Sequence, residues 1–122
     1  MLIISTLIAL ISPVYYEKTQ TYDHPVYTPQ EVNLTLIPPV MVAIGQCESG
    51  NRQFLDDGSV VKNPHSSATG KYQIMASLHQ DVAESLGMDI YTEEGNTDYA
   101  LWLYEKNGTR DWLASVRCWS SL

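Results

Sequence analysis

Basic charge is scarce in this chain. Lys and Arg number 7 among 122 residues, no two of them adjacent, against 14 Asp and Glu, so the formal net charge is −7. Binding to nucleic acid depends on clustered Lys and Arg facing phosphates, so no nucleic-acid partner is expected. Long apolar runs are also missing. The longest, Leu2 to Ile11, is broken by Ser5 and Thr6 and falls short of the roughly 20 residues that span a bilayer. Cysteine is limited to Cys47 and Cys118, too few for a four-ligand zinc site, and His24, His65 and His79 lack ligand spacing to them. No metal and no cofactor is expected. There are no internal repeats, and the length limits the chain to one ordinary domain. Hydrophobic residues make up 44% and charged residues 17%, which excludes wholesale disorder.

The N-terminal third differs from the rest. Residues 1–16, MLIISTLIALISPVYY, carry no charged side chain and match the length of a signal-peptide core or an N-terminal anchor. No basic residue precedes this core and no A-x-A-like cleavage site follows it. A buried or loose apolar terminus is the plainer alternative. Export is the expectation, to a secreted, periplasmic or other cell-envelope location, with residues 1–16 as a possible membrane tether. Residues 17–37 hold Pro25 and Pro29 among Thr, Gln, Tyr and Asn, and read as a linker. The compact domain is then 38–122. A core of about 80 residues is marginal, and a covalent staple would help it. In an exported chain Cys47 and Cys118 suggest a disulfide across 71 positions, with two separate buried thiols as the alternative.

Within 38–122 the pattern is α+β and mainly α. Pro38 and Pro39 suit a helix start, Val40, Val42, Ala43, Ile44 and Cys47 supply its apolar positions, and Gly50 can take the left-handed cap. Asp57-Gly58 between apolar residues predicts a short β-hairpin over 53–61. Residues 62–71, rich in Asn, Pro, Ser, Thr and Gly, read as a loop. Leu78, Val82, Ala83 and Leu86 predict a helix over 75–86 that stops at Gly87. Thr92 can cap a third helix that runs to about Asn107, with Tyr99, Ala100, Leu103 and Tyr104 on its face and Gly108 closing it. A last short helix holds Trp112, Leu113 and Ser115 ahead of Cys118 and Trp119.

Chemistry concentrates at two places. In Cys47-Glu48-Ser49-Gly50 a carboxyl group ends an apolar helix. The negative end of the helix dipole and the apolar neighbours both disfavour its ionised form, and the pKa is expected to rise toward that of a general acid. An ordinary surface Glu at a helix end is the plainer reading. In Ser66-Ser67-Ala68-Thr69-Gly70-Lys71-Tyr72-Gln73-Ile74, small residues allow close backbone approach. Tyr72 offers an aromatic face and Gln73 paired amide groups, which suit sugar hydroxyls and acetamides. Here the plainer reading is a turn into a helix with Tyr72 as core.

These two motifs, about 25 residues apart with a hairpin between them, resemble the lysozyme-like superfamily, specifically its lytic transglycosylase and resuscitation-promoting-factor-type domains. In that superfamily a Glu-Ser pair ends the first long helix, as Glu48-Ser49 would, and a Gly-x-x-Gln segment follows the hairpin, as Gly70-Lys71-Tyr72-Gln73 would. Cys47 beside the acid and the late Trp112 and Cys118 look especially like the resuscitation-promoting factors, which pair a Cys beside the acid with one near the C-terminus. Ser66 to Ile74 is closer to the phage-type and transglycosylase versions. Glu94-Gly95-Asn96, Tyr99-Ala100 and Leu103-Tyr104 resemble the helix with the family's Asn and aromatic positions. The resemblance covers roughly residues 40–119.

The resemblance implies a lysozyme-like helical domain with a small β-hairpin after its first helix. It implies a glycosidase that acts on peptidoglycan glycan strands between N-acetylmuramic acid and N-acetylglucosamine, and a monomer is expected. Glu48 would protonate the glycosidic oxygen. In the transglycosylase route the substrate acetamide assists, and Glu48 then takes a proton from the muramoyl O6 hydroxyl, closing a 1,6-anhydro ring. A muramidase hydrolase would instead need a second carboxylate, for which Asp56 and Asp57 in the hairpin are candidates, although a hairpin Asp is more often a turn former. Ser49, Tyr72, Gln73 and Tyr104 would bind substrate or support the acid, with Tyr99 as a weaker candidate, core packing being the plainer role for Tyr99 and Tyr104. Trp112 reads as core, Asn96 as scaffold, and Lys71 could reach substrate carboxylates. The family's C-terminal Ala-Tyr-Asn-x-Gly segment, whose tyrosine hydrogen-bonds the acid, has no counterpart here. A noncatalytic glycan-binding module on the same fold is the alternative from another class. It would use Tyr72 and Gln73 without needing Glu48.

Overall fold

Pro39 occupies the first turn of a helix, where its missing N–H is no loss and its fixed φ is already helical. In the computed structural model, which describes residues 37–122, helix α1 runs from Pro39 to Ser49. It stops because Gly50 adopts φ +67°, and the N–H groups of Gly50 and Asn51 turn back onto the carbonyls of Gln46 and Gly45 at 2.9 and 3.0 Å. Met41 and Ile44 on its inner face are fully buried. The expected segments 1–16 and most of 17–37 lie outside the described residues.

The Asp57-Gly58 turn forms as read. Gly58 N–H donates to Leu55 O at 2.9 Å, Leu55 N–H donates to Ser59 O at 2.8 Å, and Gly58 takes φ +83°. That is a three-residue loop with glycine at its left-handed position. The hairpin it closes amounts to a single antiparallel bridge between Phe54 and Val60. Residues 62–71 depart from the loop reading. Lys62 bridges to Thr69, and Ala68–Thr69 (β1) pairs antiparallel with Ile74–Met75 (β2), Ala68 opposite Met75 and Thr69 opposite Ile74. Two-residue strands leave no alternation to read, and this pairing is fixed by distant side chains described below.

Helix α2 spans Ala76–Ser85, and Gly87 follows it at φ +75°. Its expected apolar face is only partly used. Ala83 is fully buried and Leu86 packs on the core, but Leu78 and Val82 are 70% and 41% exposed. The helix lies at the edge of the domain, so only a narrow strip of it meets other elements. Helix α3, Glu93–Asn107, has the predicted bounds. Thr92 accepts a hydrogen bond from Gly95 N–H at 3.0 Å, and Gly108 follows the last turn. It is the central element, with every residue from Gly95 to Ala100 buried. A 3-10 helix, Arg110–Ser115, then leads into α4, Val116–Trp119, and both pack against α1.

The described part is therefore α+β and mainly helical, with one two-stranded sheet. Met41, Ile44, Tyr72, Ile74, Met88, Ile90, Tyr99, Leu103 and Trp112 meet in one core. The expected disulfide joins Cys47 of α1 to Cys118 of α4, with Cα atoms 6.0 Å apart. Such bonds persist in oxidising compartments, which fits an exported protein. Among the described residues no helix is long and apolar enough to cross a membrane.

Removing the cross-link should be costly. The closed loop spans 71 positions, so the C47S/C118S double variant should lose about 4 kcal/mol of stability, read as a lower urea midpoint. An opposite effect is expected at Asp98. This carboxyl is 5% exposed, and its Oδ1 has no hydrogen-bond partner among the described residues. Burial, and then the charge of Glu94, push its pKa up. The folded state thus holds this proton more tightly than the unfolded chain. The resulting stability is complete below about pH 4 and is lost as pH rises through the raised value. Asp98→Asn should raise stability at pH 7 by roughly 1 kcal/mol and flatten this part of the pH–stability curve.

Candidate functional site

The segment Gly70-Lys71-Tyr72-Gln73 connects β1 to β2, and side chains from other elements hold its backbone. Gln53 Oε1 accepts from Lys71 N–H at 2.8 Å, and Asn96 Oδ1 accepts from Tyr72 N–H at 2.9 Å. Ser49 Oγ donates to Lys71 O at 2.7 Å, and Trp112 Nε1 donates to Tyr72 O at 3.0 Å. Gly70 O accepts from both the backbone and the side-chain nitrogen of Gln73, at 3.1 and 2.9 Å. Gln53 and Asn96 are themselves buried, and both donate to Ile90 O, at 3.2 and 2.9 Å, while Asn96 also donates to Thr69 O at 2.9 Å. Buried amides with every group partnered define one geometry sharply. Gly70 is required there. It sits at φ +77°, and a Cβ on it would collide with the side-chain amides of Asn96 and Gln53.

Glu48 occupies the last turn of α1 and is half-buried. Its Oε1 accepts a hydrogen bond from Ser115 Oγ at 2.5 Å. Ser115 belongs to the 3-10 helix, three residues before Cys118, so the disulfide and this hydrogen bond tie the same two elements together. Trp112, 3% exposed, anchors that helix in the core through Tyr72 O, and its own carbonyl accepts from Trp119 Nε1 at 3.0 Å. A cleft of about 140 Å³ is lined by Gln73, Ile74, Met75, Leu78, His79, Leu103, Asp111 and Trp112, and Glu48 is not among its lining residues.

The predicted site residues fall into distinct places. Gln73 lines the cleft with Trp112 and Glu48 does not, and the two side chains do not bond to each other. The Gln73 amide is turned onto Gly70 O, and its backbone takes φ +51°, unusual for a residue with a side chain. Tyr72 is 1% exposed, which corrects the expectation that it lines a cleft. It is core, edge-on to Trp112 with ring centres 6.4 Å apart, and burial pushes its phenol pKa up. Its backbone, not its ring, serves the site. Ser49 does not face open space. Its hydroxyl bridges α1 to Lys71 and accepts from Arg52 N–H at 3.0 Å.

Tyr104 is half-buried against the core. Tyr99 is fully buried and hydrogen-bonds His79 Nδ1 at 2.9 Å, not Glu48. Burial and, less, the charge of Asp111 raise its pKa. Lys71 Nζ lies 3.5 Å from Glu93 and is largely shielded, so it is not a free cation reaching for substrate. Asp56 pairs with the Arg52 guanidinium at 3.0 Å. Asp57 accepts from the Ser59 hydroxyl and N–H, which hold its pKa below the ordinary value. Both hairpin carboxylates are thus occupied locally. Among the described residues no three His, Cys, Asp or Glu side chains are grouped to hold a metal ion.

Sequence reasoning missed Ser115 as the partner of the acid, and Gln53 as a support of the loop. Ser115 had one usable signal. If Cys118 is bonded to the residue beside Glu48, a hydroxyl one helical turn before Cys118 falls beside the carboxyl. Gln53 had none, because its partners Lys71 and Ile90 are 18 and 37 positions away.

No protein-family model, curated protein or solved structure matches this chain.

The loop's dependence on buried amides can be measured. Asn96→Ala leaves Tyr72 N–H and Thr69 O without the amide, while Ile90 O keeps Gln53, and should cost about 3 kcal/mol in chemical unfolding. A loss below about 1 kcal/mol would mean that water replaces the amide without penalty.

Proposed function

We propose that this protein is an exported peptidoglycan lytic transglycosylase on a lysozyme-like fold, with Glu48 as its only catalytic acid and base. The observation that carries this reading is the setting of Glu48. It is a half-buried carboxyl at the end of α1, oriented by a hydroxyl from a disulfide-tied helix, beside a rigid Gly-x-x-Gln segment. A surface glutamate has no need of such mounting.

The chemistry asks for one carboxyl in two protonation states. Protonated Glu48 gives its proton to the glycosidic oxygen as the bond to the muramoyl C1 breaks, and the neighbouring acetamide carbonyl stabilises the cationic carbon. The carboxylate then takes the proton of the muramoyl O6 hydroxyl, and O6 closes on C1. Glu48 ends protonated, and no water is consumed. One-acid chemistry needs no second carboxylate, and the exposed hairpin candidates are turned to local partners, Asp56 to Arg52 and Asp57 to Ser59. The Gln73 amide, released from Gly70 O, would meet a glycan in the cleft that it lines.

The net charge of −7 gives no long-range attraction to an anionic wall polymer. Action close to where the protein is tethered or assembled fits this better than diffusion to distant wall.

Glu48→Gln should abolish release of muropeptides from purified walls while wall binding persists. Release equal to the parent's would overturn this assignment. Mass spectrometry of the parent's products should show 1,6-anhydro ends. Products heavier by one water would identify a muramidase hydrolase instead, and binding without any product would identify a glycan-binding module.

A further inference from the structure

We propose that Ser115 is the positioning residue that makes Oε2 the working oxygen of Glu48. This deepens the reading above and rests on it. Ser115 Oγ lies 2.5 Å from Glu48 Oε1 and 3.1 Å from Trp112 O. Its one proton can serve one acceptor at a time. Trp112 O already takes the indole N–H of Trp119 at 3.0 Å, so the hydroxyl is free to donate to the carboxyl. A carboxyl oxygen that accepts from a hydroxyl is the poorer place for a proton. Oε1 is therefore the acceptor in both states of Glu48, and the proton that moves resides on Oε2, which no described residue engages.

The mounting supports this role. Ser115 sits one turn before Cys118, and Cys47 immediately precedes Glu48, so the disulfide holds both ends of the hydrogen bond in place. Trp112 is locked in the core by Tyr72 O, which fixes the start of the same short helix. The carboxyl need not rotate between its two steps. Oε2 delivers the proton to the glycosidic oxygen and recovers one from the O6 hydroxyl, while Ser115 neither gains nor loses a proton. A reorienting carboxyl would forfeit part of the advantage of pre-set geometry.

The test uses the full oxidised chain and soluble uncrosslinked glycan strands, with Ser115→Ala and Ser115→Thr. Loss of one charge-assisted hydrogen bond should lower kcat on the order of tenfold in S115A. KM should stay within about twofold, because the lost interaction matters at the reacting carboxyl and not in general substrate binding. S115T, which keeps a hydroxyl, should restore kcat. The 13C carboxyl resonance of Glu48 should shift in S115A and return in S115T, and this readout does not depend on activity. An S115A variant with parental kcat and carboxyl resonance overturns the proposal while leaving Glu48 as the acid. So does a loss of activity that follows a lowered Tm and is not rescued by threonine. Parental activity in E48Q would instead strike the reading beneath it.

Discussion

The fold depends on the way the four-residue segment Gly70–Gln73 is held. Its N–H and C=O groups are satisfied by Gln53, Asn96, Ser49 and Trp112, which come from the hairpin, α3, α1 and the 3-10 helix. A buried loop would ordinarily leave such groups without partners, at a cost of about 1–3 kcal/mol each. Here the same bonds that remove that cost also set the positions of four elements relative to one another. A core of this size has little area with which to define a unique arrangement, and directional hydrogen bonds supply definition where packing alone would be permissive.

A second constraint acts in the last turn of α1. Cys47 and Glu48 are adjacent on α1, and Cys118 and Ser115 are one turn apart near the C-terminus. A covalent bond and a hydrogen bond therefore run in parallel between the same partners. The disulfide limits how far the C-terminal helices can drift, and Trp112 fixes their depth. The candidate acid is thus held between a loop braced by amides and a helix braced by sulfur, and neither brace involves the carboxyl directly.

The legible parts of the fold were those with local causes. α1 ends at Gly50 because a left-handed residue is needed there, and α3 begins after Thr92 because its hydroxyl reaches Gly95 N–H. Both bounds follow from short-range chemistry, and so does the Asp57-Gly58 turn. The strand pair Ala68–Thr69 with Ile74–Met75 was not legible, because two residues carry no period. Leu78 and Val82 show the limit of periodicity. Helical spacing marks which residues share a face, but whether anything covers that face depends on where the helix lies in the domain. At the candidate site, Glu48 and Gly70–Gln73 stood out as residue types in an order. The buried state of Tyr72 and the pairing of Lys71 with Glu93 depended on neighbours distant in sequence, which a string of residues does not contain, whereas the Arg52–Asp56 pair is local, four residues apart.

By itself the sequence determined the helix bounds, the hairpin turn, the mainly helical class and the presence of one carboxyl beside a cysteine. Each of these depends on interactions within a few residues. Only the tertiary structure decided that Tyr72 is core, that Ser49 braces a loop, and that Ser115 is the hydroxyl on Glu48. Those assignments turn on side chains 22 to 67 positions apart. Burial and hydrogen-bond partnership at such separations are fixed only when the elements pack, because only then are the competing water contacts removed.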